Sequence, residues 1–308
     1  MLTKHKQGPS VDHPHPNLPF MSQPSFVTVG ILIKPDSPQA QPVLNGLIAW
    51  LERRGKTVLV ARSPAGPSDT QDRLALDALA SQSDLLIVLG GDGTMLSASR
   101  LVEQRGTPIL GVNMGGLGFL TETTIEHLYP SLNRVLAGDY CIEQRLMLRV
   151  GIHRNQTCIR TATVLNDAVI SKGPLARMIS IKIEIDKAFM TNLRGDGVIL
   201  ATPTGSTAYS LSAGGPILDP SLNVLILNPI CPHTLSHRPF LVASHALIEI
   251  LLKSQEKAMV TFDGQSGMEV FPGDVTTIQA SEHRAHLIRF PDRSFYDVLR
   301  TKLKWGDG

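Results

Sequence analysis

The chain has 308 residues, 42% of them apolar and 18% charged, with a formal net charge of +2. That length suits one large or two medium domains of roughly 100 to 200 residues, and the composition is that of a folded globular protein, well away from disordered chains. So small a charge argues against a nucleic-acid groove, which needs clustered Lys and Arg, and neither an apolar run of the roughly 18 residues that span a bilayer nor a signal peptide's apolar stretch is present, so no membrane partner and a cytoplasmic location are expected.

Residues 1–24 mix Pro, His, Gly and polar side chains without periodicity and read as a disordered tail, with Met21 as an alternative start and residues 1–20 dispensable. From 25 to 139, strand-like FVTVGILI, KTVLVA and DLLIVLGG alternate with helix-like PVLNGLIAWLERRG and QDRLALDALAS. Such alternation predicts βαβ units around a parallel sheet. Gly55, after Arg53 and Arg54, fits a helix stop.

The third strand run ends in Gly90, Gly91, Asp92 and Gly93, and a helical pattern starts at Thr94. Glycines at a strand-to-helix turn let backbone amides approach a phosphate, and the helix N-terminus favours an anion. The plainer alternative is a tight turn in which Asp92 caps the helix. A carboxylate tips the balance, because beside an anion site it repels the ligand unless it acts on a hydroxyl or a metal. No GxxxxGK[ST], no GxGxxG opening a helix and no protein-kinase HRD or DFG set is found, which removes those nucleotide folds.

Between 140 and 289 the texture changes to short strand runs: LMLRVGIH, TCIRTATVLNDAVI, ISIKIEID, GVILATP, LNVLILNP, FLVASHALIEILL, AMVTFDG and TTIQAS. Their spacing predicts a mostly antiparallel β domain. Asn166 and Asp167 interrupt an apolar strand and read either as ligand contacts or as a solvated strand end or bulge. In RGDGVILATPTGSTAYSLSAGGP, Thr204, Ser206, Thr207, Ser210 and Ser212 offer hydroxyls while Gly205, Ala208 and Ala213 keep the wall low. That segment is a nucleotide pocket or a Ser/Thr-rich turn capping an ordinary helix. The three cysteines, Cys141, Cys158 and Cys231, form no CxxC pair, and Cys231 with His233 and His237 in one Pro-interrupted loop makes a weaker case for a metal than for idle thiols. Residues 290–308 return to helical spacing, with Phe295, Val298, Leu299 and Leu303 on one face that packs back on the α/β domain.

Taken together, GGDG at Gly90–Gly93, GVNMGGLGFLTE from Gly111, LND from Leu165, RGDGVILATPTGSTAYSLSAGGPILDP from Arg194, NPICPHTLSHRP from Asn228 and DGQ from Asp263 resemble the NAD kinase family, above all its bacterial members. The resemblance runs from Phe26 to the C-terminal helix. It implies an α/β N-terminal domain, a sandwich-like β-rich C-terminal domain, and ATP-dependent phosphorylation of the 2′-hydroxyl of NAD's adenosine ribose to give NADP. Asp92 then takes the place of the catalytic acid at the acceptor hydroxyl, with Gly93 beside it. Asn166 and Asp167 hold the adenosine part of NAD, where the family often has Glu at the second position. Arg177, Arg194 and Asp196 line the dinucleotide, Thr207, Ala208, Tyr209, Ser210, Leu211 and Ser212 form its wall, and Gln265 completes it. Gly90, Gly91, Gly93 and Thr94 face the ATP phosphates, and Mg²⁺ is held mainly through those phosphates and water. A homo-oligomer, dimer or tetramer, whose sites borrow residues from a neighbouring subunit is also implied. A lipid or sphingoid-base kinase would share the GGDG turn but present an apolar slot, and a non-catalytic NAD sensor would have no use for Asp92.

Overall fold

Strand β1 (Thr28–Ile33), helix α1 (Ala40–Glu52), strand β2 (Thr57–Arg62), helix α2 (Thr70–Gln82), strand β3 (Leu85–Leu89) and helix α3 (Asp92–Val102) alternate as the periodicity predicts, and a further strand that the pattern does not mark, β4 (Ile109–Asn113), follows them. This is a computed structural model; it describes residues 26–34, 40–63, 70–116, 118–173, 178–234 and 236–305. The N-terminal tail with Met21, and Arg177, lie outside the described residues. Leu44, Leu47, Trp50 and Leu51 recur at helical spacing and are the buried face of α1, and the chain leaves that helix through Gly55 at φ 72°. Strands β2, β1, β3 and β4 pair in parallel in that order. β3 and β4 are buried along their whole length, as strands covered on both faces must be.

The short strand β5 (Thr123–Thr124) and helix α4 (Leu128–Ala137) lead to β6 (Cys141–Arg154) and β7 (Thr157–Val164), and then to β8 (Asp167–Lys172), β9 (Ile179–Ile185), β10 (Ala188–Gly195) and β11 (Gly197–Ala201). A 3-10 turn (Thr204–Thr207) and one helical turn, α5 (Tyr209–Ser212), precede β12 (Val224–Ile230) and β13 (Phe240–Ala243). The chain closes with β14 (Ile248–Leu252), β15 (Ala258–Phe262), β16 (Ser266–Val270), β17 (Val275–Arg289) and helix α6 (Phe295–Leu303).

Two sheets result. The smaller is antiparallel, in the order β13-β12-β11-β8-β15-β16. The larger runs β10-β9-β14-β17-β4-β3-β1-β2, with β6 also on β17 and β7 beyond it. Leu148, Val150, Ile183 and Ile248 from the larger sheet meet Ile170, Val198, Leu200 and Val260 from the smaller in one apolar core, so the C-terminal half is a sandwich. β17 joins the halves: it pairs antiparallel with β14 and β6, and Leu287 pairs in parallel with Ile109 of β4. Helix α6 is closed at its start by a reciprocal Ser294–Asp297 capping box and buries Val298 and Leu299, whereas Phe295 and Leu303 are half-buried.

Two apolar runs divide where the pattern predicts single strands. TCIRTATVLNDAVI becomes β7 and β8, and FLVASHALIEILL becomes β13 and β14; in both cases the pieces belong to different sheets. Alternation specifies which face of a strand is buried and not which sheet it joins, so a corner inside an apolar run leaves little trace.

Candidate functional site

Asp92 is the first residue of α3, behind Gly91, which occupies the cap position with extended backbone and no capping side chain. The acid does not cap its own helix. Its Oδ2 accepts from the Phe119 amide at 2.9 Å and its Oδ1 from the Leu120 amide at 3.0 Å. The loop comes this close because residue 118 has no side chain: a Cβ on Gly118 would overlap the Asp92 carboxylate. The turn that carries Asp92 and the loop carrying Phe119 thus form one unit at the carboxyl ends of β3 and β4, where open α/β sheets bind ligands.

Asn166 sits at the corner where the chain leaves β7 in the larger sheet for β8 in the smaller. The corner's amides converge on Asp263, whose carboxylate accepts from Leu165 at 3.1 Å, Asn166 at 2.8 Å and Asp167 at 3.2 Å. Arg100 of α3 completes the cluster, with Nη1 2.6 Å from the same carboxylate. Asp167 is 4% exposed, and among the described residues its carboxylate has no hydrogen-bond donor. Burial, and then the negative charge of Asp263, push its carboxyl up to about 7.

The segment after β11 closes over this corner. Thr202 donates its amide to the Asn166 carbonyl at 2.9 Å and its hydroxyl to the Leu165 carbonyl at 2.6 Å. A Cβ on Gly205 would overlap the Asn166 backbone, so the hydroxyl-rich turn lies directly on the Asn-Asp pair. Its hydroxyls divide in two. Ser206 donates to Pro203 and accepts from the Leu218 amide, and Ser210 is fully buried against Asn228, so both are spent inside the fold. Thr207, Ala208 and Leu211 are half-buried and Tyr209 and Ser212 exposed, which leaves them as the accessible wall.

Gln265 reaches α3, donating to the Gly93 carbonyl at 2.6 Å and accepting from Ser97 at 3.0 Å and from Arg100. The structure therefore brings Asp92 and Gly93, Asn166 and Asp167, the 207–212 wall and Gln265 to one place. It does not bring Arg194 and Asp196 there. The Lys172 amide donates to the Asp196 carbonyl, at the far end of β8 from Asp167. Five strand positions at roughly 3.3 Å each put the two about 17 Å apart.

Beside the Phe119 loop lies a cavity of about 610 Å³ lined by Phe119, Glu122, Arg145, Arg289, Arg293 and Phe295, among others. Arg289 bridges Glu122 and Glu143 at 2.9 Å each, and Arg145 contacts Glu143 at 2.7 Å. Burial lowers the Arg145 guanidinium to about 10 even so, and its Nε has no partner among the described residues. Burial alone would raise the Glu143 carboxyl, but Arg145 and Arg289 outweigh it and hold that group below the usual carboxylate range.

Arg100 carries this geometry without standing out in the sequence, and Asp263 and Gly118, though within the DGQ and GVNMGGLGFLTE runs, give no sign there of what they touch. An Asp-Gly pair between strand runs does signal a tight hairpin, and Asp263 and Gly264 have the required positive φ of 51° and 63°. That signal identifies a turn, but not the three amides it captures far along the chain.

Comparison with known proteins agrees over both halves. The family described as ATP-NAD kinase N-terminal domain matches residues 29–140, and the ATP-NAD kinase C-terminal domain matches residues 165–290. The NAD kinase of Geotalea daltonii is 47% identical over 280 residues, covering 91% of this chain and 99% of that protein. The NAD kinase of Geobacter sulfurreducens is 45% identical with the same coverage of both. Among solved structures, yeast NADH kinase complexed with NADH superposes with a TM-score of 0.83 at 25% identity, covering 93% of this chain and 90% of that one. An NAD kinase from Archaeoglobus fulgidus in complex with ATP gives 0.69 at 27% identity, covering 90% and 98%.

Proposed function

The chain belongs to the ATP-NAD kinase family and phosphorylates the adenosine ribose 2′-hydroxyl of NAD at the expense of ATP; from that premise we propose how its own residues carry the reaction. NAD lies with its adenosine on Asn166 and Asp167, against the wall of Thr207, Ala208, Tyr209, Leu211 and Ser212, and with its ribose hydroxyl at Asp92. The ATP phosphates lie along Gly90, Gly91, Gly93 and Thr94. Phosphoryl transfer passes through a loose transition state and is catalysed chiefly by alignment and by stabilising charge. Asp92 orients the hydroxyl first and takes its proton late. Two loop amides fix the carboxylate that does so, which is the observation that carries this reading. The cavity next to that loop sets three arginines against two glutamates, and the excess positive charge supports the approach of the donor phosphates.

Among the described residues no group of three or more His, Cys, Asp or Glu side chains is arranged to hold a metal ion. Mg²⁺ would arrive on ATP and be held mainly by its phosphate oxygens and water, as is usual for this ion, where it would neutralise charge on the transferring group. Arg194 and Asp196, remote from Asp167 within one chain, would serve the site of a second copy in a homo-oligomer. Three free cysteines support a cytoplasmic placement, and none of the described helices is long and apolar enough to cross a membrane.

The test is turnover of purified protein with ATP, Mg²⁺ and NAD, NADP being read with an NADP-specific dehydrogenase. Asp92→Asn should remain folded and bind NAD while kcat falls at least about 100-fold, the usual scale for general acid-base catalysis. A stable, NAD-binding Asp92→Asn protein with near-normal kcat would sink the mechanism.

A further inference from the structure

We propose that Asp263 is a positioning residue for NAD: anchored by Arg100, its carboxylate gathers three successive amides of the 165–167 corner and so sets Asn166 and Asp167 at a fixed place relative to Asp92. The inference rests on the assignment of Asn166 and Asp167 to NAD. Three consecutive backbone N–H groups aimed at one carboxylate form a concavity around an anion, here supplied by the protein itself. The side chain of Asp263 is fully buried, and its own amide donates back to the Asp167 carbonyl at 2.9 Å, so corner and turn are tied in both directions. Its counter-ion comes from the other half of the site. Arg100 lies about two turns along the helix that starts at Asp92, and its second arm holds Gln265, which holds the Gly93 carbonyl. One guanidinium thus connects the helix bearing the catalytic acid with the corner bearing the NAD contacts. A salt bridge serving stability alone would not require the ligand-bearing amides as its other partners.

Asp263→Asn replaces one acceptor oxygen with an NH₂ group facing those amides, and Arg100→Gln removes the anchor. Each should raise KM for NAD at least about 10-fold while KM for ATP stays within about twofold, and hydrogen exchange at residues 165–167 should quicken. Arg100→Lys, which keeps the charge but not the fork, should recover part of the loss. Unchanged KM for NAD in both variants, or equal rises for NAD and ATP with a falling Tm, would overturn the proposal. If Asp263→Asn fails to fold, Arg100→Gln, whose side chain is 27% exposed, carries the test alone. Asn166→Ala separates the two layers of the argument. If it leaves KM for NAD untouched, the site assignment fails and takes the positioning role with it; if it raises KM for NAD while Asp263→Asn and Arg100→Gln do not, only the positioning role fails.

Discussion

Asp167 is an acid whose ionisation the fold delays. In the unfolded chain it loses its proton near the ordinary value of 3.8, whereas in the folded protein burial and the neighbouring Asp263 hold the proton to about 7. Between those values the folded state binds more protons than the unfolded state, so this residue's contribution to stability declines as pH rises and is lost once pH passes about 7. Asp167→Asn removes that dependence. The Tm of the wild type should fall relative to Asp167→Asn as pH is raised from about 5 to about 8; parallel Tm curves for the two proteins would show that Asp167 ionises normally. Below about pH 7 the protonated carboxyl can also donate to an acceptor on NAD, a role that an ionised Asp lacks.

The corner between β7 and β8 works as an element in its own right. It passes the chain from one sheet to the other while placing two polar residues against the turn that follows β11. Gly205 is the contact point, since a Cβ there would meet Asn166 backbone and not a side-chain tip that could swing away. Gly205→Ala should therefore push the corner and wall apart and raise KM for NAD at least about 10-fold, with KM for ATP nearly unchanged. A variant with normal NAD kinetics would mean that the wall can yield. The parallel α/β half was legible because strand and helix there have different periods, and the Asp92 turn because a carboxylate among glycines is chemically odd. Asn166 and Asp167 were legible as polar residues in an apolar run, but their place at a corner was not, because β7 and β8 read continuously. Strands β4, β10 and β16 leave little trace in the sequence: ILGVN is short and interrupted by Gly111, and AFMTNLRG and SGMEV lack the β-branched run that marks a strand. Arg100 carries no local signal, since an arginine on a helix face is ordinary until Asp263 is found opposite it.

At the scale of the molecule, β17 decides how the halves behave together. One strand pairs with β14 and β6 of the antiparallel region and touches β4 of the parallel region, so neither half can lose it without breaking the larger sheet. Thermal unfolding should accordingly be a single transition, with tryptophan fluorescence and NAD binding lost at one midpoint. Two separated midpoints would show that the halves unfold independently. The same topology has a consequence for synthesis. Strand β17 follows β4, β6 and β14 in the chain, so all three are translated before the strand that lies between them in the sheet. Until then the nascent chain carries open sheet edges in its middle, the condition in which chains pair with one another instead of with themselves.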